Sequence, residues 1–104
     1  MYRGAITDLD EKALLDVFNT NVVAGMLLSG LAVPYLEDTE GAIIFIGSVH
    51  TRRAFPGASP YAATKAAVES LTRVLAAELG EKRIRVNCVV PGEAPPQQGS
   101  SFTC

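Results

Sequence analysis

Leu14, Leu15, Phe18, Val22, Met26 and Leu27 recur at spacings of three and four, and this stripe predicts a helix over residues 9–36. Asp8 precedes it as a candidate N-cap, with Glu11 three residues on and acidic side chains crowding the first turn. Gly25 and Gly30 weaken the pattern without ending it. After the polar break E-D-T-E-G, the continuous apolar run Ala42 to Ile46 ends in Gly47-Ser48. It reads as a strand buried on both faces, as in parallel sheets. Residues 49–58 carry Arg52, Arg53, Pro56 and Gly57 with Phe55 as the one large apolar group, and read as a loop.

Ser59-Pro60 then offers an N-cap followed by proline at the first helical position, where its missing N–H costs nothing. The helix it starts has Ala67, Leu71, Val74, Leu75 and Leu79 on its apolar face, and Gly80 stands where a left-handed C-terminal residue is expected. Small residues Ala62, Ala63, Ala66 and Ser70 leave room for another helix. A second strand, Ile84 to Val90, is stopped by Pro91-Gly92. Strand, helix and strand make a βαβ unit with parallel neighbours and a right-handed crossover, which sets the class as α/β. Two strands leave both edges unpaired, so the expected parallel sheet is incomplete. Residues 93–104, rich in Pro, Gln and Ser with one aromatic residue, Phe102, read as a disordered tail.

Composition narrows the function classes. At 104 residues the chain fits one small domain at most. Nine Lys and Arg against eleven Asp and Glu, with no basic block, argue against nucleic acid as a partner. The apolar runs are broken by Gly, Asn or charge, so no membrane span is expected, and the first residues lack a signal-peptide core; the expected localisation is cytoplasmic. Cys88, Cys104 and the single histidine, His50, are too few for a disulfide framework or a four-ligand zinc site, so no metal is expected.

Tyr61 and Lys65 lie four residues apart in the second helix, which puts phenol and ammonium on one face a turn apart. By itself that pair reads more readily as a solvated tyrosine beside a surface lysine. Ser48 changes the balance, since it ends the buried strand thirteen residues before Tyr61, and the C-terminal edge of a parallel sheet is where open α/β folds bind ligands. Asn21 sits in the first helix, where asparagine is a poor interior residue and calls for a reason. His50 reads mainly as a loop histidine, with a substrate-lining role as the alternative, and Arg52-Arg53 as a solvated pair that could instead attract an acidic substrate.

The segments I-I-F-I-G-S, S-P-Y-A-A-T-K-A-A-V-E-S-L-T-R-V-L-A-A-E-L and I-R-V-N-C-V-V-P-G together resemble the second half of a short-chain dehydrogenase/reductase, over about residues 8–92. The resemblance implies a partial Rossmann-like, doubly wound parallel sheet: residues 1–92 as the C-terminal half of such a domain, and 93–104 as its tail. It implies that Asn21, Ser48, Tyr61 and Lys65 form a catalytic tetrad. Tyr61 would be the general acid for carbonyl reduction, and the Lys65 charge would favour its phenolate. Ser48 would hold the substrate oxygen, and Asn21 would position a water that relays protons to Lys65. Tyr61, Lys65, Pro91 and Gly92 would meet an NAD or NADP cofactor at its nicotinamide end.

The same resemblance shows what these residues lack. Nicotinamide cofactors rest their pyrophosphate on a glycine-rich turn at a helix N-terminus, and no two glycines here stand at G-x-G spacing. The family's Asn-Asn-Ala-Gly turn is absent too, as is its usual Thr after the Pro-Gly turn. The expectation is therefore a truncated oxidoreductase of the family, resembling 3-oxoacyl-carrier-protein reductases, inactive alone, whose small-molecule substrate would be a carbonyl or alcohol. The alternative is a non-catalytic interaction or dimerisation remnant. Either way the chain is expected to be a homo-oligomer or a self-associating fragment.

Overall fold

The computed structural model describes residues 2–91 and 101–104. The first helical stretch runs from Glu11 to Thr39 as three pieces: α1 (Glu11–Phe18), a π-helical turn over Asn19–Val23, and α2 (Ala24–Thr39). Its N-cap is Asp10, whose carboxylate accepts the Ala13 N–H at 2.9 Å. Asp8 instead closes a short 3-10 turn, Ile6–Asp8, and Leu9 is extended. The Tyr2 hydroxyl accepts the Asp10 N–H at 2.9 Å, a contact from eight residues upstream that a local capping pattern does not contain. Pro34 lies inside α2, and the helix ends at Glu40, which takes a left-handed φ of 52°.

An 18-residue window of this stretch has a mean hydropathy of 1.4, so it is long and apolar enough to cross a bilayer by length and composition. That corrects the sequence expectation, which weighed the interruptions and not the average. In the fold its inner side serves as a core surface, with Val33 and Leu36 packed on the sheet.

Strand β1 (Ala42–Ile46) pairs in parallel with β2 (Arg85–Pro91), in register from Ala42 opposite Arg85 to Ile46 opposite Val89. The chain is thus α/β, as expected. Burial on both strand faces is not observed. Ile43 and Phe45 pack against Leu79, Ile84 and Val86 together with Val33, Leu36 and Leu75, whereas Ile44 and Ile46 are 61% and 52% exposed on the other face. One face of the sheet is covered by helices and the other stays open.

Part of the expected disordered tail is ordered. Ser101–Thr103 forms β3, antiparallel to β2, which gives the order β1-β2-β3, and Cys104 is disulfide-bonded to Cys88 while its N–H donates to the Cys88 carbonyl at 2.9 Å. A three-residue strand has no periodicity to read; what holds it is the unpaired edge of β2. Residues 93–100 lie outside the described residues. Gly47 follows β1 at a point where a Cβ would come within 2.7 Å of the Cys104 sulfur and 2.9 Å of the Cys88 sulfur, so only glycine fits beside the bridge.

Helix α3 (Ser59–Leu79) has Ala58 as its N-cap residue and Ser59 inside its first turn, with Pro60 beside it. Gly80 remains right-handed at φ −59°, and the left-handed residue is Arg83, after a 3-10 turn over Gly80–Lys82. The buried face of α3 carries Pro60, Thr64, Val68, Thr72 and Leu79; of the predicted row Ala67, Leu71, Val74, Leu75 and Leu79, Leu79 and Leu75 do pack in the core, Ala67 and Leu71 are half-buried, and Val74 is 53% exposed. Two threonines can line that face because each hydroxyl bonds back to its own helix, Thr64 to the Tyr61 carbonyl and Thr72 to the Val68 carbonyl, both at 2.7 Å.

Candidate active site

The C-terminal end of β1, the turn that follows it and the start of α3 converge. Lys65, on α3, reaches back so that its Nζ donates to the Ile46 carbonyl at 2.9 Å, tying the helix to the strand end. Partial burial pushes the Lys65 ammonium below the usual lysine range. Its Nζ also lies 5.6 Å from the centre of the Tyr61 ring, one turn earlier. Ser48 is buried and starts a 3-10 turn over Val49–Thr51.

His50 joins these groups. Its backbone N–H donates to Ser48 Oγ at 3.1 Å, and its ring Nδ1 lies 3.0 Å from the same oxygen. The ring is tilted against Phe55 with centroids 4.4 Å apart and stands edge-on to Tyr61 at 5.1 Å. Asn21 approaches from the π-helical turn, where its Nδ2 donates to Thr64 Oγ1 at 3.1 Å. Such turns interrupt the regular ladder and often occur at functional sites. The Asn21 amide is therefore engaged with α3 through Thr64, which is wholly buried.

A cleft of about 650 Å³ opens here, lined among others by Tyr2, Asp16, Asn21, His50 and Tyr61. Ser48 and Lys65 are not among its lining side chains. Pro91 ends β2 opposite Ser101, and Gly92 lies outside the described residues. Sequence reasoning does not single out Thr64, which lies between Tyr61 and Lys65 and links Asn21 to the α3 backbone; a threonine in a helix interior is the available signal. For His50 the sequence offers a loop residue first and a substrate-lining role as the alternative, and the residue does line the cleft.

The sequence pattern of the short chain dehydrogenase family matches residues 1–98. The chain belongs to this family. Among curated relatives of this short-chain dehydrogenase chain, mouse (Mus musculus) dehydrogenase/reductase SDR family member 4 is 38% identical over 90 residues, which is 86% of this chain and 32% of the relative. The chain thus spans about a third of the length of the curated relatives it matches. Among solved structures, one assigned as a betaketoacyl-ACP reductase is 36% identical with a TM-score of 0.82, covering 98% of this chain and 45% of the other. A Brucella ovis short chain dehydrogenase/reductase, in complex with a partially ordered NAD, is 31% identical with a TM-score of 0.82, covering 91% of this chain and 43% of its own. The sheet and its helices are accordingly part of a Rossmann-like fold.

Proposed function

We propose that these residues are the substrate-side portion of an NAD(P)-dependent oxidoreductase that interconverts a small-molecule carbonyl and its alcohol. The observation that supports this reading is that Lys65, one turn after Tyr61, is tied to the Ile46 carbonyl two residues before Ser48, while His50 bonds Ser48 and stands edge-on to Tyr61, with Asn21 held against the same helix. The residues present fit one end of a nicotinamide cofactor. Lys65 has three donors, of which the Ile46 carbonyl takes one, leaving others for a ribose hydroxyl. Nothing fits the pyrophosphate end, since the sequence has no glycine pair at G-x-G spacing. When bound, the cofactor supplies or accepts the hydride.

The chain's own residues handle the proton and the oxygen. Tyr61 donates its phenolic proton to the carbonyl oxygen as negative charge builds there, and takes a proton back in the reverse direction. The nearby Lys65 ammonium stabilises the charge left on the tyrosine oxygen. Ser48 donates a hydrogen bond to the substrate oxygen and holds it beside the phenol. Asn21, its amide directed at Thr64, braces the first turns of α3 that carry Tyr61 and Lys65. The likeness to the structure assigned as a betaketoacyl-ACP reductase supports a 3-oxoacyl thioester as one substrate to try.

Without a pyrophosphate site, these 104 residues by themselves are inactive. Grafted into a complete member of the family, residues 8–92 support reduction, and Tyr61→Phe lowers the rate by about 10²- to 10⁴-fold while cofactor affinity holds. A Phe variant that retains more than about a tenth of the rate removes Tyr61 as the acid. Calorimetric titration of the 104-residue chain with NADH and NADPH gives no dissociation constant below about 100 μM. A second reading, a non-catalytic interaction piece, draws on the exposed Leu27, Leu28, Leu31 and Tyr35 of α2, and those side chains also favour a homo-oligomer.

A further inference from the structure

The hydrogen-bonding capacity of Ser48 is set by its neighbour two residues on. A serine hydroxyl has one hydrogen and two lone pairs. One lone pair receives the His50 backbone N–H at 3.1 Å. The ring Nδ1 of His50, 3.0 Å from the same oxygen, either donates a hydrogen to it or receives the serine's own. These alternatives have opposite consequences for catalysis. If Ser48 gives its hydrogen to Nδ1, it has none for a substrate oxygen. If Nδ1 carries the hydrogen, both serine lone pairs are engaged by His50 and the hydroxyl hydrogen must point elsewhere.

The far side of the ring decides between them. His50 Nε2 is buried and has no hydrogen-bond partner. Placing the hydrogen on Nε2 would bury an N–H with no acceptor, the rarer and costlier kind of orphan, and protonating both nitrogens would bury a charge as well. The remaining form leaves a bare lone pair on Nε2 and a hydrogen on Nδ1. The ring is held in place by Phe55 at 4.4 Å and by the edge-on contact with Tyr61 at 5.1 Å.

We propose that His50 is a positioning residue: in its Nδ1–H tautomer it saturates both acceptor sites of Ser48, through its backbone N–H and its ring, and so makes Ser48 an obligate hydrogen-bond donor toward the substrate oxygen. The tautomer and the saturation of Ser48 stand on geometry, and the last step, donation to substrate, rests on the oxidoreductase reading. The arrangement suits a carbonyl or alkoxide oxygen, which accepts, and gives no acceptor to a substrate group that can only donate. It also makes the residue at position 50 part of the reactive arrangement, acting through Ser48.

The test uses the 104-residue chain without cofactor or substrate. His50 is the sole histidine, so two-bond proton–nitrogen correlation spectra of the imidazole report on one ring. At a pH where the ring is neutral, the expected result is an Nδ1–H excess of roughly tenfold, the size that one net hydrogen bond supports. Ser48→Ala abolishes that excess, and Ser48→Thr, which keeps the hydroxyl, restores it. A dominant Nε2–H form, or an Nδ1–H excess that persists in Ser48→Ala, overturns the proposal. So does a wild-type ratio below about two, which needs no variant to fold. Failure here removes the role of His50 and leaves the oxidoreductase reading, which stands or falls on Tyr61→Phe.

Discussion

Two regions of this molecule are finished to different degrees. Around the end of β1 and the start of α3, the buried hydroxyls are partnered: Ser48 with His50, Thr64 with Asn21 and the Tyr61 carbonyl, while Lys65 is tied to Ile46. On the outer side of α2 and the open face of β1, Leu28, Leu31, Tyr35 and Ile44 are between 61% and 76% exposed. The difference follows from what each interaction requires. A hydrogen bond is complete with one partner atom at the right distance, which a neighbouring turn can supply. Apolar burial needs an area of matching surface, and the described residues offer none for these faces. The polar arrangement is thus in place, whereas among the described residues no surface covers these apolar faces.

The largest effect expected from breaking this contrast is in the core. Ile84→Ala, at a fully buried position, lowers unfolding stability by about 2–5 kcal/mol, whereas Leu31→Ala changes it by less than about 0.5 kcal/mol in the dilute chain. Denaturant titration measures both. If Leu31→Ala costs as much as Ile84→Ala, and the cost falls on dilution, then a second copy covers α2; light scattering would show the same association. A middle-sized effect tests the polar side. Thr64→Val removes the acceptor of Asn21 and costs about 1–3 kcal/mol, because the Asn21 donor is left without that partner. In the Thr64→Val background, Asn21→Leu adds little, and a full second loss would show that the two residues act separately.

The smallest effect is in pH dependence. Burial lowers the Lys65 pKa in the folded chain below its ordinary 10.5. Between the lowered value and 10.5 the unfolded chain binds more protons than the folded one, so this group makes stability rise with pH across that window. Below the window both states carry the proton and the contribution is constant. Lys65→Met flattens the rise. A wild-type profile without it would mean that the ammonium is as well solvated in the fold as out of it.

The amino-acid sequence by itself determined the parts that local chemistry controls. The 3.6-residue stripe around Leu14–Leu27 made a helix, the apolar run Ala42 to Ile46 made a strand, and Pro60 at its first turn started α3. The spacing of Tyr61 and Lys65 put them on one face of a helix, and the resemblance to the short-chain dehydrogenases, not the spacing, singled them out with Ser48 and Asn21 as a candidate site. Tertiary structure decided the rest. The cap formed at Asp10, where Tyr2 also bonds, and not at Asp8; the buried face of α3 took in Thr64 and Thr72 beside Leu79 and left Val74 exposed; and the free edge of β2 recruited Ser101–Thr103. It also turned His50 toward Ser48 and sent the Asn21 amide to Thr64. Periodicity and propensity are properties of a few consecutive residues. Which of two apolar faces is buried, and which donor meets which acceptor, depends on surfaces brought together from 43 positions apart in the case of Asn21 and Thr64, and only the packed chain supplies them.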